Sequence, residues 1–431
     1  MVNRKEWMHV SLIVAVGCVV GTALALPPIP AYVVVRQGDT LGVSTVSTLN
    51  SPFTDGNGRV GFVGSLADSQ RFIWWNTGPV FFSNDALPDV LTGGESTMGV
   101  SDTGGFIYSP SVNGNDAVHT HAGTLLQKGD PIPPLPGLFS SFNSRPTMLP
   151  DGTAYWVGGS TPTQGSSTST NRHLFKATDP SNPASITRVL GGGDLINGIP
   201  IKTTASNFDY WISDNGLHHI HVLDMDTGST TNNEHVYLDG AFVAQEGHSA
   251  GGGELWESFD IVGVNNAGNY IFTGDTNGAV ATDEFLAYNG VIAVREGNTL
   301  DGHTLLSGYA LRAASINNFG GVVHMWGLSA DEHLFYGLGD DLANSVQLLQ
   351  TNDEIDTNGD GVSDYLVTDF KASTTIGPGL CLAEDGFVYV EVGLVPIGST
   401  GEIEAILRLA VPEPGALTLL ALLGVIALRR R

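Results

Sequence analysis

The sequence predicts an all-β fold built from one repeated unit, and three observations carry that expectation. Charged residues make up only 14% of 431 positions, against roughly 25% in an ordinary soluble domain. Glycine occupies 56 positions, far above the usual share of about 7%. Most telling, one pattern of a turn, a glycine and a run of apolar, β-branched or aromatic residues recurs seven times. Few solvated charges and many turn residues favour short strands over long helices.

The glycines of the seven copies are Gly58, Gly104, Gly152, Gly216, Gly268, Gly320 and Gly386. Typical copies are Asp151-Gly152-Thr153-Ala154-Tyr155-Trp156-Val157 and Ala267-Gly268-Asn269-Tyr270-Ile271-Phe272. A turn tolerant of positive φ that feeds such a run is a turn-then-strand signal. A second strand follows in register, as in Arg71-Phe72-Ile73-Trp74-Trp75, Glu284-Phe285-Leu286-Ala287-Tyr288 and Glu332-His333-Leu334-Phe335-Tyr336. A third ends in an acidic turn, with Asp39, Glu95, Asp130, Asp194, Glu246, Glu296 and Asp353 as its acids.

The ends of the repeat are informative. The acidic turn at Asp39 precedes the first glycine strand, and the last glycine strand is followed by a pairing strand without an acidic turn. The strand 32–37 is thus positioned to complete the final unit and remove an exposed sheet edge. Units of about 40–50 residues with three or four strands are what propeller blades require. The expectation is a seven-bladed β-propeller over 31–410, closed by the N-terminal strand. The alternative is tandem β-sandwiches.

Net charge excludes some functions. With 18 Lys+Arg against 44 Asp+Glu, the formal charge is −26. Phosphate contacts need a positive footprint, so nucleic acid is not an expected partner. Cys18 lies in the leader described next, which leaves Cys381 as the one thiol beyond it. Flanked by Leu380 and Leu382, it reads as a buried structural cysteine.

Both termini read as targeting segments. Residues 1–25 have a basic start (Arg4, Lys5), an apolar stretch from Val10 to Val20 and the small-x-small site Ala23-Leu24-Ala25, the pattern of a secretory signal peptide. At the other end, Pro412-Glu413-Pro414 is followed by an uncharged run from Gly415 to Leu428 and then Arg429-Arg430-Arg431. As a helix that run spans roughly 21 Å, a short span of a ~30 Å hydrocarbon layer, with the arginines on the cytoplasmic side. This tripartite tail, 411–431, resembles the PEP-CTERM sorting signal. The resemblance implies export in a Gram-negative bacterium and transient anchoring in the inner membrane. It also implies recognition by an exosortase-type membrane protease and delivery to the cell surface or exopolysaccharide matrix. It implies nothing about the activity of the preceding domain.

Four constellations could carry chemistry. Asp356-Thr357-Asn358-Gly359-Asp360-Gly361-Val362-Ser363-Asp364 places oxygen ligands at loop positions 1, 3, 5 and 9, with the Val362 carbonyl at 7. Ca²⁺ wants six to eight hard oxygens wrapped by a sharp turn, and the loop looks like the Asp-rich repeats of dockerin-type and thrombospondin-type-3 modules. It departs from them at position 12, where Val367 replaces an acidic ligand. A structural Ca²⁺ site would then be weak, or Asp353 or Asp369 would have to complete it. The pairs His119/His121 and His219/His221 each share a strand face, but His173, His235 and His333 recur at one register of the second strand, which points to packing. The acidic turns could converge as a carboxylate pair for glycosidic chemistry, or each could cap its own turn. Trp74-Trp75 could stack on sugars, although one of the pair should face the core. No catalytic motif is present.

The expected function is an exported, non-catalytic propeller that binds or scaffolds in the cell envelope or exopolysaccharide matrix. The alternative is a secreted carbohydrate-active hydrolase or lyase.

Overall fold

A computed structural model describes residues 27–412 apart from 94–96, 134, 143–145, 162–170, 204–207, 329 and 372–378. The signal segment, the tail from Glu413 through Arg431 and Glu95 lie outside the described residues. The only helical segments described are short 3₁₀ turns, Ser83–Ala86, Pro183–Ser185 and Gly339–Asn344.

The strands form a succession of mostly antiparallel sheets over 40–82, 91–127, 138–191, 208–245, 262–295, 310–350 and 354–410. The fourth, fifth and sixth are simple meanders, the fourth running Phe208–Ile212, His219–Asp224, Glu234–Leu238 and Ala241–Gln245 in consecutive order. The last takes its outer strand from the other end of the chain. Tyr32–Arg36 pairs antiparallel with Ile403–Ala410, placing Tyr32 opposite Arg408 and Arg36 opposite Ala405. This is a propeller-like arrangement of blades, not a pair of sandwiches.

Side-chain packing explains the arrangement. Alternate residues of a strand face opposite sides, and both sides of each sheet are covered by its neighbours. Trp156 and Phe175 of the third sheet pack with Val118 and Leu126 of the second, while Tyr155 and Leu174 pack with Tyr210 and Leu223 of the fourth. Trp326 and Phe335 face the fifth sheet through Ile271 and Leu286. Val35, Cys381 and Ile406 of the last sheet share a cluster with Val46, Phe62 and Phe72 of the first. Burying such side chains contributes about 1.5–3 kcal/mol each, the main favourable term in folding.

The glycine turns are as the sequence predicts. All seven glycines have positive φ, between 68° and 92°. Each donates its N–H to the carbonyl three residues earlier, from Gly58 to Asp55 through Gly386 to Ala383. A side chain with Cβ resists that backbone geometry.

Two polar joints recur, one linking successive sheets and the other closing a turn within each sheet. An inner strand precedes each glycine strand, so the second strand of the sequence pattern is the third of its sheet, and near its start Glu234, Glu284, Glu332 and Glu404 occupy equivalent positions. Each accepts a backbone N–H from the inner strand of the next sheet or the segment leading into it: Phe259 (3.0 Å), Leu311 (3.0 Å), Phe370 (2.8 Å) and Leu49 (3.0 Å). The second joint is the turn after the outer strand. There Asp39, Asp85, Asp130, Asp194, Asn298 and Asp353 accept the N–H of the residue three earlier.

That second joint corrects the expected acidic series. Asp39, Asp130, Asp194 and Asp353 are caps as expected. In the first sheet the cap is Asp85, and in the fifth it is Asn298, two residues beyond Glu296. Glu246 and Glu296 instead reach sideways, Glu246 to the N–H groups of Asn233 and Glu234 and Glu296 to that of Gly308.

Candidate functional site

Several of the glycine turns meet one another through the residue two before the glycine. Equivalent positions are Gly56, Asp102, Pro150, Asp214, Asn266, Asn318 and Glu384. Asn318 Nδ2 donates across to Asp214 Oδ2 (2.9 Å), and its N–H donates to Glu384 Oε1 (2.9 Å). The Asn266 N–H donates to Asn318 Oδ1 (2.7 Å), and the Asn215 N–H donates to Asn266 Oδ1 (2.8 Å). On the opposite side a Cβ on Gly56 would lie 2.8 Å from Pro150. Side chains and backbone of non-adjacent turns therefore pack closely here.

Beneath them is a cavity of about 50 Å³ bordered by Asp55, Trp211, Asp214, Asn318 and Glu384. Burial and the nearby Asp214 and Asp385 push the Glu384 carboxyl up to about 7. Burial also raises Asp214, against the Asn318 hydrogen bond and with Asp102 and Asp55 adding to it. Asp55 spends its oxygens on the Asn57 and Arg59 N–H groups and on the Arg59 guanidinium at 2.7 Å. Deeper in, Phe53, Trp211, Ile261, Ile316, Leu380 and Cys381 enclose only about 20 Å³, room for about one water. Burial raises the Cys381 thiol well above its ordinary range, which keeps it protonated and unreactive.

The calcium-like loop is an enlarged hairpin tip: Glu354 pairs with Leu366 and Ile355 with Tyr365. Asp356 accepts the N–H groups of Asn358 (3.1 Å), Gly359 (2.7 Å) and Gly361 (2.8 Å), which hold its carboxyl below the usual range. Asp364 accepts the Thr357 N–H and hydroxyl and the Asn358 amide, and Asp360 accepts the Val362 N–H. The loop brings Asp356, Asn358 and Asp364 together by their own hydrogen bonds. Among the described residues no group of three or more His, Cys, Asp or Glu is close enough to hold a metal ion.

The histidines are placed as the register argument expects. His173, His235 and His333 sit opposite Gly191, Gln245 and Gln350 at the end of the outer strand. His173 contacts Ser160 and accepts from Arg188, while His235 bonds the Asn233 carbonyl. Burial lowers His119 to about 4 and His221 to about 3, so both are neutral near pH 7. Trp74 is buried against Phe62 at 5.5 Å, and the Arg59 guanidinium lies 4.5 Å over the Trp75 ring. The Trp74-Trp75 pair is a packing element, not an open stacking platform.

Sequence reasoning did not find the cleft on the rim between the first two sheets. It has a volume of about 440 Å³ and is bordered by Phe81, Asp85, Asp89, His119, His121 and Thr124. The signal was a departure from the repeat: hairpin tips elsewhere carry Asn76, Asp239 or Asn289 with positive φ, and the second sheet carries His121-Ala122.

No family model matches the chain, and no curated protein matches it. Solved structures do resemble it. TolB from Acinetobacter baumannii is 13% identical with a TM-score of 0.36, over 69% of this chain and 65% of that one. Prolyl oligopeptidase B from Galerina marginata is 10% identical at 0.45, over 86% and 52%. The WD40 β-propeller domain of Doa1 is 10% identical at 0.40, over 90% and 98%. The chain thus spans less than two thirds of the first two proteins.

Proposed function

We propose that the domain is an exported, surface-sorted scaffold that binds in the cell envelope or exopolysaccharide matrix without catalysing a reaction. The observation that carries this reading is what its polar residues do. Recurring acids serve as turn caps and joints between sheets, in near-equivalent copies. A repeated structural role is what a rigid display platform needs. Export and sorting rest on the two terminal segments, with an exosortase-type protease as processing partner and brief anchoring in the inner membrane.

In the finer reading the sheets are seven blades of a ring closed by the 32–36 strand. Its support is the pairing of Tyr32–Arg36 with Ile403–Ala410 and the glutamate joint from Glu404 to Leu49. Calcium in the 356–364 loop is part of the same proposal, with Asp356, Asn358, Asp360, Asp364 and the Val362 carbonyl as ligands. Binding would require Asp364 to exchange its Thr357 and Asn358 donors for the ion.

The alternative of a carbohydrate-active hydrolase or lyase draws on Glu384, whose raised carboxyl sits near Asp214. A proton donor near neutral pH beside a second carboxylate is the requirement for such chemistry. The deciding experiment incubates the mature domain with purified exopolysaccharide. Retention without release of fragments supports the scaffold. Fragment release that Glu384→Gln abolishes overturns it.

A further inference from the structure

The rim cleft between the first two sheets is built differently from its counterparts. In the fourth and fifth sheets the hairpin between third and fourth strands ends in Asp239 or Asn289, whose side chains accept the N–H groups of His219 (2.7 Å) and Tyr270 (3.0 Å). In the second sheet His121 stands at that tip, exposed, with its ring 6.1 Å from Phe106. After the cap at Asp85 the chain does not form the two-stranded hairpin seen at Leu195–Ile196 with Ile199–Pro200. It runs across the outside instead, where Asn113 Nδ2 donates to Asp89 and Asn113 Oδ1 accepts the Val90 N–H, each at 3.0 Å.

These departures make a lined recess. Phe81 forms an aromatic wall, packed 5.3 Å from His119 and 5.6 Å from Phe106. Asp85 and Asp89 each give one oxygen to the protein, to the Phe82 N–H and to Asn113. Each carboxylate keeps acceptor capacity on its other oxygen. His119 Nδ1 is 3.2 Å from the Thr124 hydroxyl. Among the described residues that border the cleft none is a lysine or arginine, although Arg71 acts on Tyr108 behind the Phe81 wall; the volume of about 440 Å³ falls in the range of small-ligand sites, about 300–1,000 Å³.

The geometry points to a binding subsite for a sugar carrying a free amine, its C–H face on Phe81, its ammonium group and hydroxyls on Asp85 and Asp89, and His121 closing over it. This deepens the matrix-binding reading above and rests on it. Carboxylates in a cleft with no lysine or arginine in its described lining favour an ammonium ligand and repel uronates. Burial holds His119 neutral, so it adds no opposing charge.

The test is isothermal titration calorimetry of the mature domain with a glucosamine tetramer, its N-acetylated counterpart and a galacturonate oligomer. Saturable binding of the glucosamine tetramer is expected, with the N-acetylated oligomer at least about tenfold weaker and galacturonate silent. Asp89→Asn preserves shape, and His121→Ala changes an exposed residue. Each should weaken binding about tenfold or more at an unchanged melting temperature. Equal affinity for the acetylated oligomer, preference for galacturonate, or variants that bind like wild type overturn the inference. If whole exopolysaccharide is still retained by both variants, the scaffold reading survives and the subsite does not. If no glycan binds, both fall.

Discussion

Glu404 accepts the backbone N–H of Leu49 at 3.0 Å although 355 residues separate them. The same joint links Glu234 to Phe259 and Glu284 to Leu311, where the partners are only 25 and 27 residues apart. One geometry thus serves neighbours in sequence and the two ends of the domain alike.

Removing that acceptor leaves a buried donor without a partner, which costs about 1–3 kcal/mol. Glu404→Ala should lower the melting temperature by several degrees, whereas Glu404→Gln, which keeps a carbonyl acceptor, should recover most of the loss. Thermal unfolding followed by circular dichroism checks both. Equal losses in the two variants would mean that the carboxylate acts in another way.

Deleting residues 27–37 tests the outer strand directly. The deletion strips Ile403–Ala410 of its partner and exposes an unpaired edge. The truncated domain should self-associate on size-exclusion chromatography at concentrations where the intact domain stays monodisperse. A monomeric truncation with unchanged melting temperature would contradict a closed ring.

Stability should fall as pH rises. Burial, aided by Asp275 and Asp260, raises Glu284 to about 8, and burial with Glu404 raises Glu391 to about 8. A carboxyl whose folded pKa exceeds its ordinary value ionises first in the unfolded chain. Its contribution is therefore intact below the ordinary carboxyl range and is lost between about 4.5 and about 8. Each group adds at most about 1.4 kcal/mol per pH unit to that slope. Urea melts from pH 5 to 8 should show the decline, and Glu284→Gln should flatten it.

Calcium in the 356–364 loop predicts a melting temperature that rises on titration to about 1 mM Ca²⁺ and returns with chelator. Asp360→Asn should remove the response. Its side chain makes one bond within the loop, from the Val362 N–H to an oxygen that asparagine retains. A wild-type curve indifferent to Ca²⁺ would mark the loop as a self-satisfied turn.

Part of this architecture was legible because it is local. The seven glycine turns announce themselves, since positive φ followed by a β-branched or aromatic run is written in adjacent residues. The acidic turns were legible in kind but not wholly in register. Any acid near a glycine matches the pattern, whereas the cap requires a side-chain oxygen three residues after the capped amide, a task that Asn298 performs as well as Asp130. The glutamate joints were not legible, because Glu332 meets Phe370 only after the sheets stack. The rim cleft escaped for a different reason: a missing hairpin and a changed tip residue look like noise until the other sheets show what is ordinary.

The pairing of Tyr32–Arg36 with Ile403–Ala410 also dictates an order of events. A strand near the start of the domain finds its neighbour only after nearly the whole chain has emerged. Earlier sheets can form as meanders in sequence, but the last must wait for a loop closure spanning the molecule. Throughout that interval the leading strand has no sheet to join. The last sheet is therefore complete only when both ends of the domain are present.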